Sequence, residues 1–145
     1  MIDGVFIEKL KKIEDPRGNV MHMLRCDAPY FKSFGEVYFS EIKPGMIKAW
    51  RKHLKMTQSF AVPIGKIKLV IFDDRKQSLT NGQTMEIETG VDNYCLIRIP
   101  PLVWYGFKGI SEPLSLVTNC ADIPHDPKEI VRADPTDPVV PYIWK

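Results

Sequence analysis

The segment Lys48-Ala49-Trp50-Arg51-Lys52-His53 holds the densest chemistry in the chain. His53 lies two residues beyond Arg51, so on a β-strand both side chains share one face. An imidazole takes up and releases a proton near neutral pH. A guanidinium stays charged and offers no lone pair. Two further histidines are present: His22, inside Val20-Met21-His22-Met23-Leu24, and His125, inside Pro124-His125-Asp126-Pro127. The second reads as a solvated loop residue. Cys26, Cys95 and Cys120 are odd in number, and no two stand at CxxC spacing. They predict reduced, partly buried thiols rather than a disulfide framework or a zinc knuckle.

The elements that must position these groups are strands. Helix signals are scarce, whereas short β-branched and aromatic runs recur at roughly 8–12-residue spacing. Val5–Ile7, Val20–Leu24, Gly35–Ile42, Phe60–Val62, Lys66–Phe72, Thr84–Glu88, Cys95–Ile99, Val103–Phe107 and Leu114–Val117 read as strands. Asp15-Pro16-Arg17-Gly18-Asn19, Pro44-Gly45 and Asn81-Gly82 read as turns. Lys66 and Lys68 alternate with Ile67 and Leu69, which makes one face of that strand wet at its start. This pattern predicts a sandwich or barrel. The tail from Ile123 to Lys145 carries five prolines and ends in Tyr142-Ile143-Trp144. It is expected to be ordered but irregular, with its aromatics packed onto the body.

Composition bounds the rest. At 145 residues, residues 1–145 are expected to form one domain with its own core. A formal net charge of +2 is too small for bulk nucleic-acid binding, although a local basic pocket for a pyrophosphate is compatible with it. No apolar run is long enough to span a bilayer, and Met1–Leu10 does not read as a signal peptide. A cytoplasmic location is expected, with no membrane partner.

Gly45, Arg51-Lys52-His53, Gln58 and Gly65 reproduce the spacing of the metal-binding cupin pattern, and Pro100–Tyr105 resembles the other cupin half. The resemblance implies a jelly-roll barrel in which Arg51, His53, Gln58 and Tyr105 point inward. Three of the four ligand types are changed. One imidazole beside a guanidinium, a carboxamide and a phenol cannot hold a divalent ion against water. No metal and no other cofactor are expected.

The chain also resembles the dTDP-4-dehydrorhamnose 3,5-epimerase family. Asp15-Pro16-Arg17-Gly18 is similar to the family's D-x-R-G turn, Gly65–Arg75 to its G-x-V-x-D-V-x-V-D-x-R strand, and Ser78–Gly82 to its S-P-T-x-G. Ile99–Phe107 is similar to I-P-x-G-x-x-H-G-F, and Asp137–Trp144 to the D-P-x-x-x-x-x-W ending. The resemblance implies an all-β cupin-type jelly-roll barrel, as a single domain with an irregular Pro-rich C-terminal tail. It also implies proton abstraction beside the ketone of a nucleotide-linked 4-keto-6-deoxyhexose, for surface polysaccharide (O-antigen) synthesis. The family's base, a histidine, falls on Arg51, its partner on Asp137, its enolate-binding lysine on Gln58, and its tyrosine near Thr118.

With those positions changed, the expectations are these. His53 is the base, Arg51 or Gln58 stabilises the enolate, and Tyr105 is the acid, its pKa lowered by a nearby arginine. Asp137 forms an ion pair with Arg51. Arg17, His22, Tyr38, Ser40, Lys48, Trp50, Gln58 and Thr118 contact substrate. This reduced set suits epimerisation at C3 better than at both C3 and C5. The alternatives are a sugar 3,4-ketoisomerase and a non-catalytic nucleotide-sugar-binding cupin. The expected partners are a dTDP-, CDP- or GDP-linked sugar and a second copy in a homodimer, with Arg17 reaching the neighbour's nucleotide.

Overall fold

A computed structural model describes residues 1–145. Its strands are β1 (Phe6–Lys9), β2 (Lys12–Ile13), β3 (Val20–Met21), β4 (Glu36–Ile42), β5 (Ile47–His53) and β6 (Gln58–Ile64). They continue as β7 (Lys66–Phe72), β8 (Thr84–Gly90), β9 (Cys95–Ile99), β10 (Trp104–Gly109), β11 (Ser115–Ala121) and β12 (Ile130–Arg132). One 3-10 turn, Pro127–Glu129, is the sole helical element. Two five-stranded sheets form, in the orders β1-β9-β6-β11-β4 and β12-β5-β10-β7-β8. Every named strand pairing is antiparallel. Taking β4 to β11 alone, the sheets hold the first, eighth, third and sixth strands and the second, seventh, fourth and fifth. That is the double Greek key of a jelly roll.

Strand alternation sorts the side chains. Ile67, Leu69 and Ile71 of β7 face inward with no exposure and join Ile97 and Ile99 of β9 in a cluster of 15 buried residues. Each fully buried aliphatic contributes roughly 1.5–3 kcal/mol. Lys66 and Lys68 are half-buried on the outer face, as their spacing predicts. The alternation then stops because Val70 and Phe72 are covered on that outer face by Trp50, Trp104 and Val140. At the β6–β7 junction Gly65 has a φ of +74°, and a Cβ there would lie 2.4 Å from Ser115 Oγ, so the turn requires glycine.

Several boundaries differ from the sequence reading, two of them by the most, and β2, β5 and β12 are strands it does not contain. The strand expected over Val20–Leu24 is only Val20–Met21, paired with β2 in a separate ribbon. Met21, Met23 and Leu24 instead pack against Leu10, Ala61, Tyr94 and Leu96 on the outside of the first sheet. The strand expected over Leu114–Val117 runs to Ala121, because it lies between β4 and β6 and hydrogen-bonds to both. The proline-rich tail is largely irregular, but β12 adds to the edge of β5. Tyr142 and Trp144 pack on Trp50, with ring centroids 6.0 and 5.0 Å away.

Candidate active site

Five strands and one turn converge on a polar pocket between the sheets. β5 supplies Arg51 and His53, β6 supplies Gln58, β10 supplies Tyr105, β11 supplies Asn119, and β4 supplies Tyr38 and Ser40. The register of β12 on β5 pairs Ile130 with His53, which brings Glu129 alongside the imidazole.

The groups form one hydrogen-bonded chain. His53 Nδ1 meets Glu129 Oε1, and His53 Nε2 lies 3.2 Å from the Tyr105 hydroxyl. That hydroxyl donates to Gln58 Oε1 at 3.0 Å. Asn119 Nδ2 donates to Gln58 Oε1 at 3.0 Å and to the Tyr38 hydroxyl at 2.9 Å. Glu129 Oε2 accepts the backbone N–H groups of Lys55 and Met56 at 3.1 and 3.2 Å. His53, Gln58, Tyr105, Asn119 and Glu129 are all buried. One acceptor, Asn119 Oδ1, is buried without a partner. A buried polar atom left unpaired costs about 1–3 kcal/mol, and this one has room for one more donor.

The electrostatics follow from this burial. Burial alone raises the pKa of Glu129. The imidazole of His53 and the two backbone N–H groups outweigh it and hold the carboxyl below its ordinary value. Tyr105 is raised well above the ordinary phenol range, first by burial and then by Tyr38; Arg51 and Gln58 oppose the shift without reversing it. This corrects the expectation of a lowered Tyr105 pKa: loss of water outweighs one nearby guanidinium.

Two more expectations are corrected by geometry. The Arg51–Asp137 pair does not form, because Asp137 Oδ1 accepts the backbone N–H of Val139 at 2.9 Å and is held by its own turn. The carboxylate partner in this site is Glu129, and it serves His53. Thr118 faces away from the pocket, since alternation along β11 turns its neighbours Val117 and Asn119 inward. Trp50 packs into the aromatic cluster of the tail, where its Nε1 donates to Pro135 O at 3.3 Å, and it also lines the groove that holds Lys48 and Arg51.

Around the pocket, Lys48 Nζ donates to Ser40 Oγ at 2.9 Å and to Glu41 O at 2.6 Å, linking β5 to β4. Lys48, Arg51, Arg132, Asp134 and Asp137 line an open groove of about 590 Å³. A cavity of about 330 Å³ shares Arg51 and Arg132 with that groove and adds Tyr38, His53, Glu36 and His125. His125, read as a loop histidine, therefore stands on the wall of the site. Arg17 lies outside this region with its side chain 90% exposed and paired to Asp15. His22 belongs to the β2–β3 region, its N–H bonded to Lys11 O, and lines neither cavity. No group of three or more His, Cys, Asp or Glu side chains comes close enough to hold a metal ion.

Sequence reasoning missed Glu129, Asn119 and Arg132. Asn119 was one residue away, hidden by a register slip. Arg132 and Glu129 carried no local signal, because only the pairing of β12 with β5 brings them here.

No protein-family model matches the chain. It is 34% identical to the spore coat polysaccharide biosynthesis protein SpsL of Bacillus subtilis, covering 99% of this chain and 97% of that protein. It is also 34% identical to the probable low-salt glycan biosynthesis epimerase Agl13 of Haloferax volcanii, covering 97% and 88%. The crystal structure of a dTDP sugar isomerase from Desulfovibrio desulfuricans superposes with a TM-score of 0.96 at 46% identity, covering 99% and 92%. The fold is shared with a dTDP-6-deoxy-D-glucose-3,5-epimerase of Legionella pneumophila, at a TM-score of 0.86, 20% identity, and coverage of 99% and 79%. With whole-length relatives of this kind and this barrel, the chain belongs to the dTDP-4-dehydrorhamnose 3,5-epimerase-like family of sugar epimerases and isomerases.

Proposed function

We propose that this protein is a nucleotide-sugar epimerase that enolises a nucleotide-linked 4-keto-6-deoxyhexose and inverts C3. The observation that carries the reading is a buried imidazole held between a locked carboxylate and a phenol, beside a groove lined by three cations. Enolisation needs a base for the C3 proton and a positive group for the oxygen that gains charge. The His53–Glu129 dyad is the proton sink, and Arg51 is the cation that holds the enolate. Lys48 and Arg132 bind the diphosphate. Tyr38 and Ser40 contact the sugar, and the unpaired Asn119 Oδ1 accepts from one of its hydroxyls. Gln58, a neutral carboxamide where the resemblance expects a lysine, orients Tyr105 and offers no charge. No metal is needed by this mechanism, and the ligand set near His53 is a poor one for any.

The same reading includes a homodimer, in which the exposed Arg17 turn reaches the neighbour's nucleotide. It also includes a cytoplasmic role in making surface polysaccharide such as O-antigen. No helix is long and apolar enough to cross a membrane. A 3,4-ketoisomerase is favoured by one observation, the 46% identity to a protein described as a dTDP sugar isomerase. One NMR experiment decides. The enzyme is incubated in D2O with dTDP-4-keto-6-deoxyglucose and its CDP- and GDP-linked counterparts. Epimerisation places deuterium at C3, with C5 unlabelled; a ketoisomerase moves the carbonyl to C3; a binding protein leaves every carbon protonated, which would refute the proposal.

A further inference from the structure

Inverting a carbon takes two groups, one that removes a proton from one face of the sugar ring and one that returns a proton to the other. His53 is the first of them in the reading above. It stands on β5, in the second sheet, and lines the cavity of about 330 Å³. Tyr105, expected from the sequence to be the second, does not line that cavity. Its hydroxyl donates to Gln58 Oε1, and the space beside it inside the barrel is only about 10 Å³, too small for a sugar.

Tyr38 does line the cavity, and it comes from the other layer. β4 belongs to the first sheet, so the phenol of Tyr38 and the imidazole of His53 reach one space from opposite sheets. Lys48 ties the two strands beside the site, its Nζ donating from β5 to Ser40 Oγ and Glu41 O on β4. Tyr38 pairs with Asn119 across the ladder, and Asn119 Nδ2 donates to the Tyr38 hydroxyl at 2.9 Å. The same amide nitrogen donates to Gln58 Oε1 at 3.0 Å. The phenol oxygen is thus fixed by a buried amide that is itself anchored, while its own proton has no acceptor in the protein. Glu36, His125, Arg51 and Arg132 are the other polar side chains on the cavity wall. A guanidinium does not give up a proton. The side chains of Glu36 and His125 are held by no hydrogen bond, whereas a proton donor must be held in place to act.

We infer that Tyr38 is the acid that returns a proton to C3 on the face opposite His53, and that it is the residue that makes the reaction an inversion. The steps balance. The C3–H bond breaks, its proton passes to His53, and its electron pair enters the enolate held by Arg51. The enolate then reforms the C4 carbonyl while C3 bonds to the Tyr38 proton on its other face. The Tyr38 O–H bond breaks in that step and leaves a phenolate, which keeps the bond from Asn119 Nδ2 and shares the cavity with Arg51 and Arg132. Tyr38 is half-buried, so the phenolate takes a proton from water, and His53 gives one back to water. The enzyme ends as it began.

The inference rests on the enolising reaction proposed above, and its test separates the two. Tyr38→Phe keeps the ring and deletes only the half-exposed hydroxyl, and thermal shift with a dTDP titration verifies folding and binding. In D2O with dTDP-4-keto-6-deoxyglucose, NMR follows two initial rates: loss of the C3 proton from the starting sugar, and appearance of the C3 epimer. The first needs only removal and return of a proton by His53 on one face; the second needs the donor on the other. The expected result is that Tyr38→Phe loses epimer formation by ~100-fold or more while deuterium still enters C3 of the starting sugar. If both rates fall together, in the wild-type ratio, Tyr38 merely holds the sugar and the inference is overturned. If neither rate falls, the proton comes from another group, and the inference is overturned as well. A wild type that shows neither exchange nor epimer removes the enolising reaction itself, and the role of Tyr38 with it.

Discussion

The interior of this barrel has two sides built from different strands by different rules. On the side of β7, β8 and β9, inward positions are Ile67, Leu69, Ile71, Ile87, Ile97 and Ile99, and packing alone holds them. On the side of β4, β5 and β11, inward positions are Tyr38, Ser40, Arg51, His53 and Asn119, and directed hydrogen bonds hold all of them but Arg51. β10 joins the two, with the ring of Tyr105 in the apolar cluster and its hydroxyl in the polar chain. The apolar side tolerates no gap because water must stay out. The polar side leaves one acceptor, Asn119 Oδ1, without a partner. Stability and chemistry are thus separated laterally within one core.

Mutations on each side should fail differently. Glu129→Gln removes the acceptor that sets the imidazole tautomer, and C3 exchange should fall by ~100-fold or more while dTDP affinity holds; an exchange assay paired with a dTDP titration checks this. Leu69→Ala should do the reverse, costing ~2–5 kcal/mol in urea unfolding with exchange per folded molecule unchanged. A drop in activity there that exceeds the unfolded fraction would show the two sides to be coupled. Arg132→Ala should raise KM for the nucleotide sugar about tenfold, in line with a charge-assisted bond of roughly 1.5–3 kcal/mol, and leave kcat in place.

The pH dependence of stability compares two carboxylates. Glu129 has a folded pKa below its unfolded value, so its contribution is complete above the unfolded pKa and is lost as pH falls through the folded one. Asp73 behaves likewise: burial opposes ionisation, but bonds from Arg75, Ser78 and Thr80 prevail and hold it far below the ordinary range. Urea midpoints from pH 7 down to pH 3 should fall less steeply in Glu129→Gln than in the wild type, and Asp73 should persist to lower pH than Glu129. The smallest effect is expected at Arg17→Ala, where the unfolding midpoint should not move and only nucleotide binding, followed by titration with dTDP, should weaken.

Most of the strand set was readable from local β-branched and aromatic runs, but β2, β5 and β12 were not among the expected strands, because charged residues or short length leave them without such a run. β7 announced its wet start through Lys66 and Lys68, and its dry end became clear only once the tail was seen to cover Val70 and Phe72. Within the site, spacing placed Arg51 and His53 on one strand face, and the resemblance to the cupin pattern put Gln58 and Tyr105 in the same barrel. The family resemblance pointed near Thr118, one residue from Asn119, and nothing local in Leu116–Cys120 tells which parity faces in. It also assigned a carboxylate to the wrong residue. Asp137 looked the part by analogy, while Glu129 sits 76 positions from its partner in a segment with no helical or strand rhythm of its own.

What the sequence determined by itself is the all-β class and the shared face of Arg51 and His53, which follow from residue types at short spacings that backbone geometry translates into faces; the jelly-roll frame and the inward placing of Gln58 and Tyr105 are what its resemblance to the cupin pattern implied. What only the tertiary structure decided is who pairs with whom: Glu129 with His53, Asn119 with Gln58, and Asp137 with its own turn. Such pairings depend on the closure of strands far apart in the chain, and a hydrogen bond formed across that distance leaves no periodic trace in either segment.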